Sequence, residues 1–527
     1  MTELLGFGVK NLRCLSDTGI VPIKPLTLLV GRNSSGKSSF LRAFPLLRQS
    51  VENKRRSPIR WHQRNYVDFG SIRTAKNERT PEPGVTFRFR VRLSERHQKE
   101  RLCDLSMTIV PGGEREEYVS SYEVSVEGHD VRIKFNADHG AHSFTVNGVD
   151  VLRGSNARLH NACLVAGIAE GGSPKPIAYQ SYQDFVDVFP ATGMTGLGMP
   201  HEFFHQNVDT ALQAAYSIDT KNIKGRGYGG RYPWQPEMGT RDRILESIRA
   251  AGGVPKEVPQ FLTDQLVACI VAANMDDFLA LVDWRVSEYM AGIAYLAPQR
   301  AMGERIYRLG ADVPVDKLDP RGENLADFLA SLSTDSMESL AEFTRKYLGF
   351  QTAVRVNGPV AEILIRESIT SQYRSITDVG FGFAEVLPLC VSVWLNMNIY
   401  WETKHPTITL LALEQPELHL HPAHQARLAN MLVGAMQTSR KQGFEVPLLI
   451  ETHSEALING LGMLVRKKML DPQDVQIIIF EQDKTTRQTS LRFAGYRETG
   501  ALHDWPFGFL APTADRIDEI AAETAES

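Results

Sequence analysis

The chain has 527 residues, 43% hydrophobic and 23% charged, and its 58 basic and 62 acidic side chains give a net charge of −4. This ordinary globular composition excludes a disordered or coiled-coil protein, and the near-neutral charge excludes bulk electrostatic coating of nucleic acid. Five cysteines without C-x-x-C spacing exclude a disulfide framework. No run of 18 apolar residues and no signal-peptide pattern occur, so we predict a soluble, cytoplasmic protein without membrane contact.

The first predicted elements are a buried strand and a helix joined by a glycine-rich turn. Residues 26–30 form a continuous apolar run, which is typical of a strand buried on both faces. The run continues into Gly31-Arg-Asn-Ser-Ser-Gly-Lys37-Ser38, and apolar positions with helical spacing follow. A G-x-x-x-x-G-K-[ST] pattern between a buried strand and a helix is the context expected of a phosphate-binding P-loop.

The chemistry of this loop predicts ATP and Mg²⁺ as cofactors. Glycines let the backbone curl so that its N–H groups face phosphate oxygens, and the helix N-terminus adds positive potential. Lys37 is expected to neutralise the β- and γ-phosphates, while the Ser38 hydroxyl ligates the metal. The predicted nucleotide-binding residues of the loop are Gly31, Asn33, Ser34, Ser35, Gly36, Lys37, Ser38 and Ser39.

The middle of the chain has a different pattern. Apolar and polar residues alternate in 85–93, 122–126 and 131–135, which predicts half-buried antiparallel strands. We therefore predict an inserted arm over 81–290, β-rich in 85–152 and mainly helical in 155–290. Residues 1–80 and 291–527 are predicted to be the two halves of one α/β domain that this arm interrupts.

A second apolar strand, in 408–413, ends in Glu414. A P-loop needs an acidic magnesium partner at the end of a neighbouring strand, so we predict Glu414 as that metal ligand. A third strand, in 446–452, precedes His453. The polar turn after Glu414 reads Gln415-Pro-Glu417-Leu-His419-Leu-His421-Pro.

Taken together, these segments resemble the SMC/RecF/OLD-like branch of the ABC-type AAA ATPases of bacteria. The resemblance covers roughly 1–70 and 290–510, and no Toprim domain accompanies it. It rests on the P-loop, the Glu414 turn and four further segments: Phe7-Gly-Val-Lys-Asn-Leu-Arg13, Tyr295-Leu-Ala-Pro-Gln-Arg300, Asp378-Val-Gly380-Phe-Gly382-Phe-Ala-Glu385 and Leu449-Ile-Glu-Thr-His453-Ser. It implies an α/β fold, an ABC-type ATPase head in which helices flank a mixed P-loop sheet.

The resemblance also implies how the site assembles. Heads of this kind form head-to-tail homodimers or higher oligomers that hold ATP between the P-loop of one copy and the signature segment of the other. Gly380 and Gly382 would then donate main-chain N–H groups to the nucleotide in trans. His453 would hydrogen-bond the γ-phosphate.

Two departures from the family pattern predict slow hydrolysis. Gln415 stands where the family carries a glutamate that polarises the attacking water, and an amide cannot take a proton. Turnover would then rely on Gln415 as a water-orienting group, with help from Glu417 or His453. Ala384 and Glu385 replace a common serine and glutamine, which removes a hydroxyl that would contact the γ-phosphate in trans.

Two further candidates for metal contact come from isolated residue types and not from a complete motif. Gln63 is a candidate for the glutamine that senses the metal, in the polar segment 60–70. His419, His421 and His424 have metal-ligand chemistry, but zinc would need further ligands, and a loop facing the dimer partner is the preferred interpretation.

Two basic segments with aromatic residues are candidate nucleic-acid contacts: Lys54–Arg64, and the loop Lys221–Trp234, rich in glycine and proline. Arg/Gly/aromatic loops suit phosphate contact and base stacking. Solvated loops or a protein-binding surface explain the same residues.

The motifs leave three functions open. The first is a nucleotide-dependent switch or sensor in anti-phage defence of the Septu, PARIS or retron kind, which controls a separate effector protein such as a nuclease. The second is an ATP-bound scaffold with negligible hydrolysis, which Gln415 favours. The third is an OLD-type nuclease, which is disfavoured because no D-x-D pair follows His453. A transporter ATPase is disfavoured by the absence of L-S-G-G-Q.

Overall fold

A computed structural model describes residues 2–52, 57–64, 66–93, 100–113, 117–137, 140–151, 159–160, 239–252, 260–310, 318–368, 370–379, 381–398, 408–418, 420, 422–483 and 485–506. The helices in these ranges are α1 (Lys37–Val51), α2 (Ile72–Ala75), α3 (Arg241–Gly252), α4 (Gln260–Ala291), α5 (Leu325–Ser331), α6 (Thr334–Leu348), α7 (Phe381–Asn398), α8 (Pro422–Lys441) and α9 (Glu455–Arg466).

The strands, in chain order, are β1 (Thr2–Leu12), β2 (Leu15–Asp17), β3 (Val21–Pro22), β4 (Leu26–Gly31), β5 (Val85–Leu93), β6 (Arg101–Pro111), β7 (Glu117–Val126), β8 (His129–Phe135), β9 (Gly140–Val146), β10 (Val149–Asp150), β11 (Leu159–His160), β12 (Ile293–Leu296), β13 (Tyr307–Arg308), β14 (Gln351–Asn357), β15 (Val360–Arg366), β16 (Arg374–Ser375), β17 (Leu410–Glu414), β18 (Leu448–Glu451), β19 (Val475–Gln482), β20 (Thr489–Tyr496) and β21 (Leu502–His503). None of the described helices is long and apolar enough to cross a membrane.

The chain divides into two compact units, each made of several segments. The first unit consists of Met1–Pro22, Leu46–His62 and Asp68–Ala291, and the second of Ile23–Pro45, Gln63–Val67 and Gly292–Ser527.

The first unit is built on an antiparallel sheet. Its strand order is β10-β9-β8-β7-β6-β5-β1-β2, with β11 paired to β9 and β3 to β1. Alternation along β5 places Val85, Phe87, Phe89 and Val91 in the core, as the sequence pattern predicts. Because β1 pairs with β5, the sheet takes strands from both sides of the predicted boundary at residue 80.

The second unit is built on a mixed sheet of order β12-β17-β18-β4-β19-β20-β21. Strands β12, β17, β18, β4 and β19 run parallel, and β20 and β21 are antiparallel additions. Every residue of β4, β17 and β18 is buried, which explains their unbroken apolar runs, because helices cover both faces of such a sheet. Gly31, Glu414 and Glu451 end these three strands and therefore lie along one edge.

The predicted α/β fold class, a mixed P-loop sheet with flanking helices, is confirmed in these residues. A smaller sheet, ordered β13-β15-β14 with β16 paired to β15, packs its apolar residues into the core of the same unit. The described residues of the predicted insertion contain β5 to β11, α3 and α4. Most of 155–238 lies outside the described residues, and the bounds 1–80, 81–290 and 291–527 stay a prediction.

Candidate functional site

The P-loop connects the end of β4 to the start of α1, as the motif predicts. Gly31 has no room for a side chain, since a Cβ there would lie 2.6 Å from the Phe480 carbonyl oxygen and 2.7 Å from Ser35 Oγ. Gly36 has a φ of 101°, which L-residues avoid, and Ser34 adopts a left-handed φ of 63°. This curled backbone in front of a helix N-terminus suits an anionic ligand.

Lys37 is the first residue of α1, and its ammonium group is held at the loop. Its Nζ donates to the carbonyl oxygens of Gly31 at 3.0 Å and Arg32 at 2.8 Å, and the side chain is only 3% exposed. The lysine is therefore set against the loop backbone, where it can reach a phosphate.

The remaining loop residues differ in exposure. Asn33 and Ser34 are exposed, Ser39 is half-buried, and Ser35 is buried. The Ser35 carbonyl accepts a 3.0 Å hydrogen bond from the Thr489 hydroxyl, while Ser35 Oγ has no hydrogen-bond partner among the described residues.

Glu414 occupies the predicted position at the end of β17, but both of its oxygens are already bound. Arg42, one turn into α1, donates from Nε to Oε2 at 2.8 Å and from Nη2 to Oε1 at 2.6 Å. The Tyr295 hydroxyl donates to Oε2 at 2.7 Å. Burial alone lowers the pKa of Arg42, but its hydrogen bonds with Glu414 and the Glu414 charge raise the pKa by more, so the net shift is upward.

The Ser38 hydroxyl binds Glu451, and not Glu414, the predicted acidic metal ligand. Ser38 Oγ donates to Oε1 of Glu451 at 2.9 Å, and Glu451 is the last residue of β18. The strand register places Glu451 directly beside Glu414. Burial and the neighbouring Glu414 charge raise the pKa of Glu451 to about 7, although Ser38 and Lys37 oppose the shift.

The turn after Glu414 is tied to the end of β18. Gln415 has a left-handed φ of 44°, and its N–H donates to the Glu451 carbonyl oxygen at 2.9 Å. Oε1 of Glu417 accepts from the His453 N–H at 2.7 Å, while its Oε2 is buried without a hydrogen-bond partner in the described residues. Burial raises the pKa of Glu417.

The His453 side chain lies close enough to Lys37 for their charges to interact. Partial burial and the Lys37 ammonium lower the pKa of His453 from its ordinary value, which favours the neutral imidazole. The structure thus brings Lys37, Ser38, Gln415, Glu417 and His453 to one edge of the sheet.

The predicted signature segment precedes and opens α7. Gly380 lies outside the described residues, whereas Gly382 is exposed and an added Cβ would meet nothing within 4 Å. Arg300 supports this helix, since its Nη1 donates to the Glu385 carbonyl oxygen at 2.8 Å. Burial lowers the pKa of Arg300 to about 10, against the charges of Glu385 and Glu417.

Gln63 clusters with the second unit, and its Oε1 is buried without a hydrogen-bond partner in the described part of the chain. The contacts found for Gln63 are main-chain bonds with Tyr66 and Val67, and they do not join it to Ser38 or Glu414. Its metal role stays a prediction. The side chains of the zinc candidates His419, His421 and His424 lie outside the described residues, which contain no group of three or more His, Cys, Asp or Glu side chains suited to a metal.

The residues present fit one magnesium ion beside the P-loop. Hydroxyl and carboxylate oxygens are the protein ligands that Mg²⁺ prefers, and Ser38, Glu414 and Glu451 supply both kinds. Oε2 of Glu451 is buried and has no hydrogen-bond partner among the described residues, so it retains lone pairs for a ligand.

One part of the nucleic-acid hypothesis needs correction. Trp61 is 5% exposed, its indole N–H donates to Oε2 of Glu117 at 2.6 Å, and its ring packs near Phe87. Trp61 is therefore unavailable for stacking on a base. Lys54 to Arg56 and the whole of Lys221–Trp234 lie outside the described residues, so nucleic-acid binding stays a prediction from charge.

Sequence reasoning did not select Glu451, Arg42 or Tyr295. A signal for Glu451 exists, because Leu448-Leu-Ile-Glu451 ends an apolar strand in a carboxylate just as the strand before Glu414 does. Arg42 and Tyr295 carry no such signal, since their contacts with Glu414 span 372 and 119 residues.

Two family models match segments of the chain. The AAA ATPase domain model matches residues 6–94, and the model described as "AAA domain, putative AbiEii toxin, Type IV TA system" matches residues 256–459. Each of these two segments is therefore similar to an AAA-type ATPase domain. The second match spans β17, β18 and His453, and the first spans the P-loop. No curated protein matches the chain.

Several solved structures are similar to this one. The Smc head domain with an extended coiled coil bound to the C-terminal domain of ScpA, derived from Pyrococcus furiosus, has 12% identity and a TM-score of 0.35 over 99% of this chain and 100% of that chain. The SMC head domain from Thermotoga maritima has 9% identity and a TM-score of 0.35 over 93% and 98%. The recombination mediator protein RecF has 12% identity and a TM-score of 0.32 over 93% and 98%.

Proposed function

We propose that this protein is a slowly hydrolysing ATPase whose nucleotide state works as a switch in bacterial anti-phage defence. Two copies close around ATP, and the change is passed to a separate effector protein. The description of the matched family as a putative toxin of a toxin–antitoxin system supports a role in bacterial conflict. The motif resemblance supports the head dimer.

The position of the Lys37 ammonium is the observation that supports this proposal most directly. The Lys37 ammonium donates hydrogen bonds to the carbonyl oxygens of Gly31 and Arg32. It lies next to the curved backbone that the loop glycines allow at the start of α1. Charge-assisted contacts of this kind hold the β- and γ-phosphates in P-loop proteins. Mg²⁺, when bound, would neutralise phosphate charge, and Ser38 with a carboxylate at the strand ends would hold it.

The groups around the γ-phosphate position explain slow turnover. Gln415 orients water but cannot accept its proton, and general-base catalysis contributes about 10²–10⁴-fold where it is available. Neutral His453 can still donate one hydrogen bond to the γ-phosphate. Glu417 holds the His453 backbone, and its predicted catalytic role stays part of this proposal.

Binding of a fluorescent ATP analogue to the full chain tests the proposal. We expect saturable binding by the wild type and loss of it in Lys37→Ala, because that variant removes the Lys37 ammonium from the loop. Lys346→Ala, which changes an exposed lysine of α6, is the control and should bind normally. Equal affinity of Lys37→Ala and wild type, with both folded, would remove the P-loop assignment.

A scaffold that holds ATP without turnover is the second candidate, and Gln415 favours it. Phosphate release followed over hours separates the two, since the scaffold releases none above a Lys37→Ala blank. In cells, loss of phage protection in Lys37→Ala tests the defence role, and unchanged protection would contradict it.

A further inference from the structure

We propose that Glu451, and not Glu414, supplies the carboxylate of the metal site, together with the hydroxyl of Ser38. The inference rests on the proposed nucleotide site and changes which strand provides its acidic ligand.

The contacts of Glu414 leave it little capacity for a metal ion. The guanidinium of Arg42 binds both oxygens, and the Tyr295 hydroxyl adds a third hydrogen bond to Oε2. A carboxylate offers about four lone-pair sites, so three are used, and the Arg42 charge already balances the anion. A metal at Glu414 would have to displace a paired guanidinium from a side chain that is 3% exposed.

Glu451, unlike Glu414, has a carboxylate oxygen available for a metal ion. It is 1% exposed, and no ion pair with a lysine or arginine within 4 Å is found for it among the described residues. Oε1 accepts the Ser38 hydroxyl, and Oε2 lacks a hydrogen-bond partner in the same part of the structure. Burying an anion without a directly paired cation is costly, and a divalent ion beside Oε2 would reduce that cost.

The bond between Ser38 and Glu451 places the two ligands together. A serine hydroxyl has one donor and two lone pairs, so it can donate to Glu451 and still offer an oxygen to a metal. Ser38 follows Lys37 in the first turn of α1, which brings the Glu451 carboxylate to the phosphate end of the loop.

The other groups at this edge leave Glu451 as the available acid. Gln415 is neutral, and its N–H is bound to the main chain of Glu451. Glu417 is turned toward the His453 N–H. Glu451, at the end of the neighbouring strand β18, therefore supplies the negative charge that neutral Gln415 does not.

Mn²⁺ binding to the full chain tests this assignment directly. Electron paramagnetic resonance counts free Mn²⁺ while the non-hydrolysable analogue AMP-PNP is present, so the readout does not depend on activity. We expect Glu451→Gln to weaken Mn²⁺ binding by roughly tenfold or more, a loss typical of altered metal sites. AMP-PNP binding in EDTA should stay unchanged in this variant, because Lys37 and the loop backbone are intact.

Glu414→Gln is the matched comparison and should keep Mn²⁺ affinity within about threefold, because only the Arg42 pair is altered. Should Glu414→Gln misfold, Tyr295→Phe, which removes one of its contacts, replaces it with the same expectation. Normal Mn²⁺ affinity in Glu451→Gln, or a loss confined to the Glu414 and Tyr295 variants, overturns the inference. Absence of AMP-PNP binding by the wild type would overturn the proposed function itself, and this inference with it.

Discussion

The main-chain N–H of His453 donates a 2.7 Å hydrogen bond to Oε1 of Glu417, so one buried carboxylate joins the turn after β17 to the end of β18. The bond fixes the backbone of the residue proposed to contact the γ-phosphate. Arg300 approaches Glu417 from the α7 side and interacts with its charge. The helix α7, the turn that contains Glu417 and the backbone of His453 are therefore linked by hydrogen bonds and charge.

Glu417→Ala should reduce ATP turnover by roughly tenfold or more, because it frees the His453 backbone, whereas ATP affinity stays close to wild type. Glu417→Gln keeps an acceptor oxygen and should retain turnover within about threefold. Steady-state phosphate release by both variants is the measurement. Equal inactivity of the two would show that the carboxylate itself performs the chemistry.

Gln415→Glu should raise turnover, by about tenfold at least, because it adds a group able to take the proton of the attacking water. Single-turnover hydrolysis separates this step from product release. A rate at or below that of the wild type would show that the amide at this position does not limit hydrolysis.

Arg42→Met should destabilise the protein by about 2 kcal/mol, less than for a fully buried pair because the Arg42 side chain is 41% exposed. The cost arises because Glu414 is left buried and unpaired. In a Glu414→Gln background the same substitution should cost much less. Thermal melting of the single and double variants forms the cycle, and additive shifts would contradict the coupling.

Glu451 predicts a pH dependence of stability in the protein without nucleotide or metal. Its folded-state pKa of about 7 exceeds the ordinary value of 4.5, so the folded state binds the extra proton between these values. Stability therefore falls as pH rises from about 4.5 to about 7, by up to roughly 3 kcal/mol. The charged groups that act on Glu451 are Glu414, Lys37 and Arg42.

Glu451→Gln isolates this contribution, because glutamine is neutral at every pH. The melting temperatures of wild type and variant should nearly coincide near pH 5, and the variant should melt higher near pH 8. A constant difference between the two across this range would contradict the raised pKa.

Local patterns of the sequence predict the parts of the site that neighbouring residues build. Gly31 to Ser38 give the P-loop, and the apolar runs before Glu414 and Glu451 give buried strands. The partners of these residues depend on strand order, which local patterns do not contain. Ser38 and Glu451 meet across 413 residues, and only the parallel pairing of β18 with β4 brings them together.

The pairing of β1 shows the same limit. The apolar residues of β1 do not indicate whether the strand belongs to the antiparallel sheet or to the P-loop sheet. Its antiparallel pairing with β5 places it in the first unit. Trp61 shows another limit, since an aromatic residue among basic neighbours looks exposed in the sequence, while Glu117 and Phe87 bury it.

Two copies of the chain are proposed to complete each ATP site, and a purified heterodimer tests this assembly most directly. One copy carries Lys37→Ala, and the other carries Gly382→Gln, which the open space around Gly382 accommodates without disturbing the fold. Each homodimer should be inactive. In a head-to-tail heterodimer one site carries both defects and the other none, so about half of the wild-type turnover should return. A heterodimer as inactive as its parents would contradict the shared site.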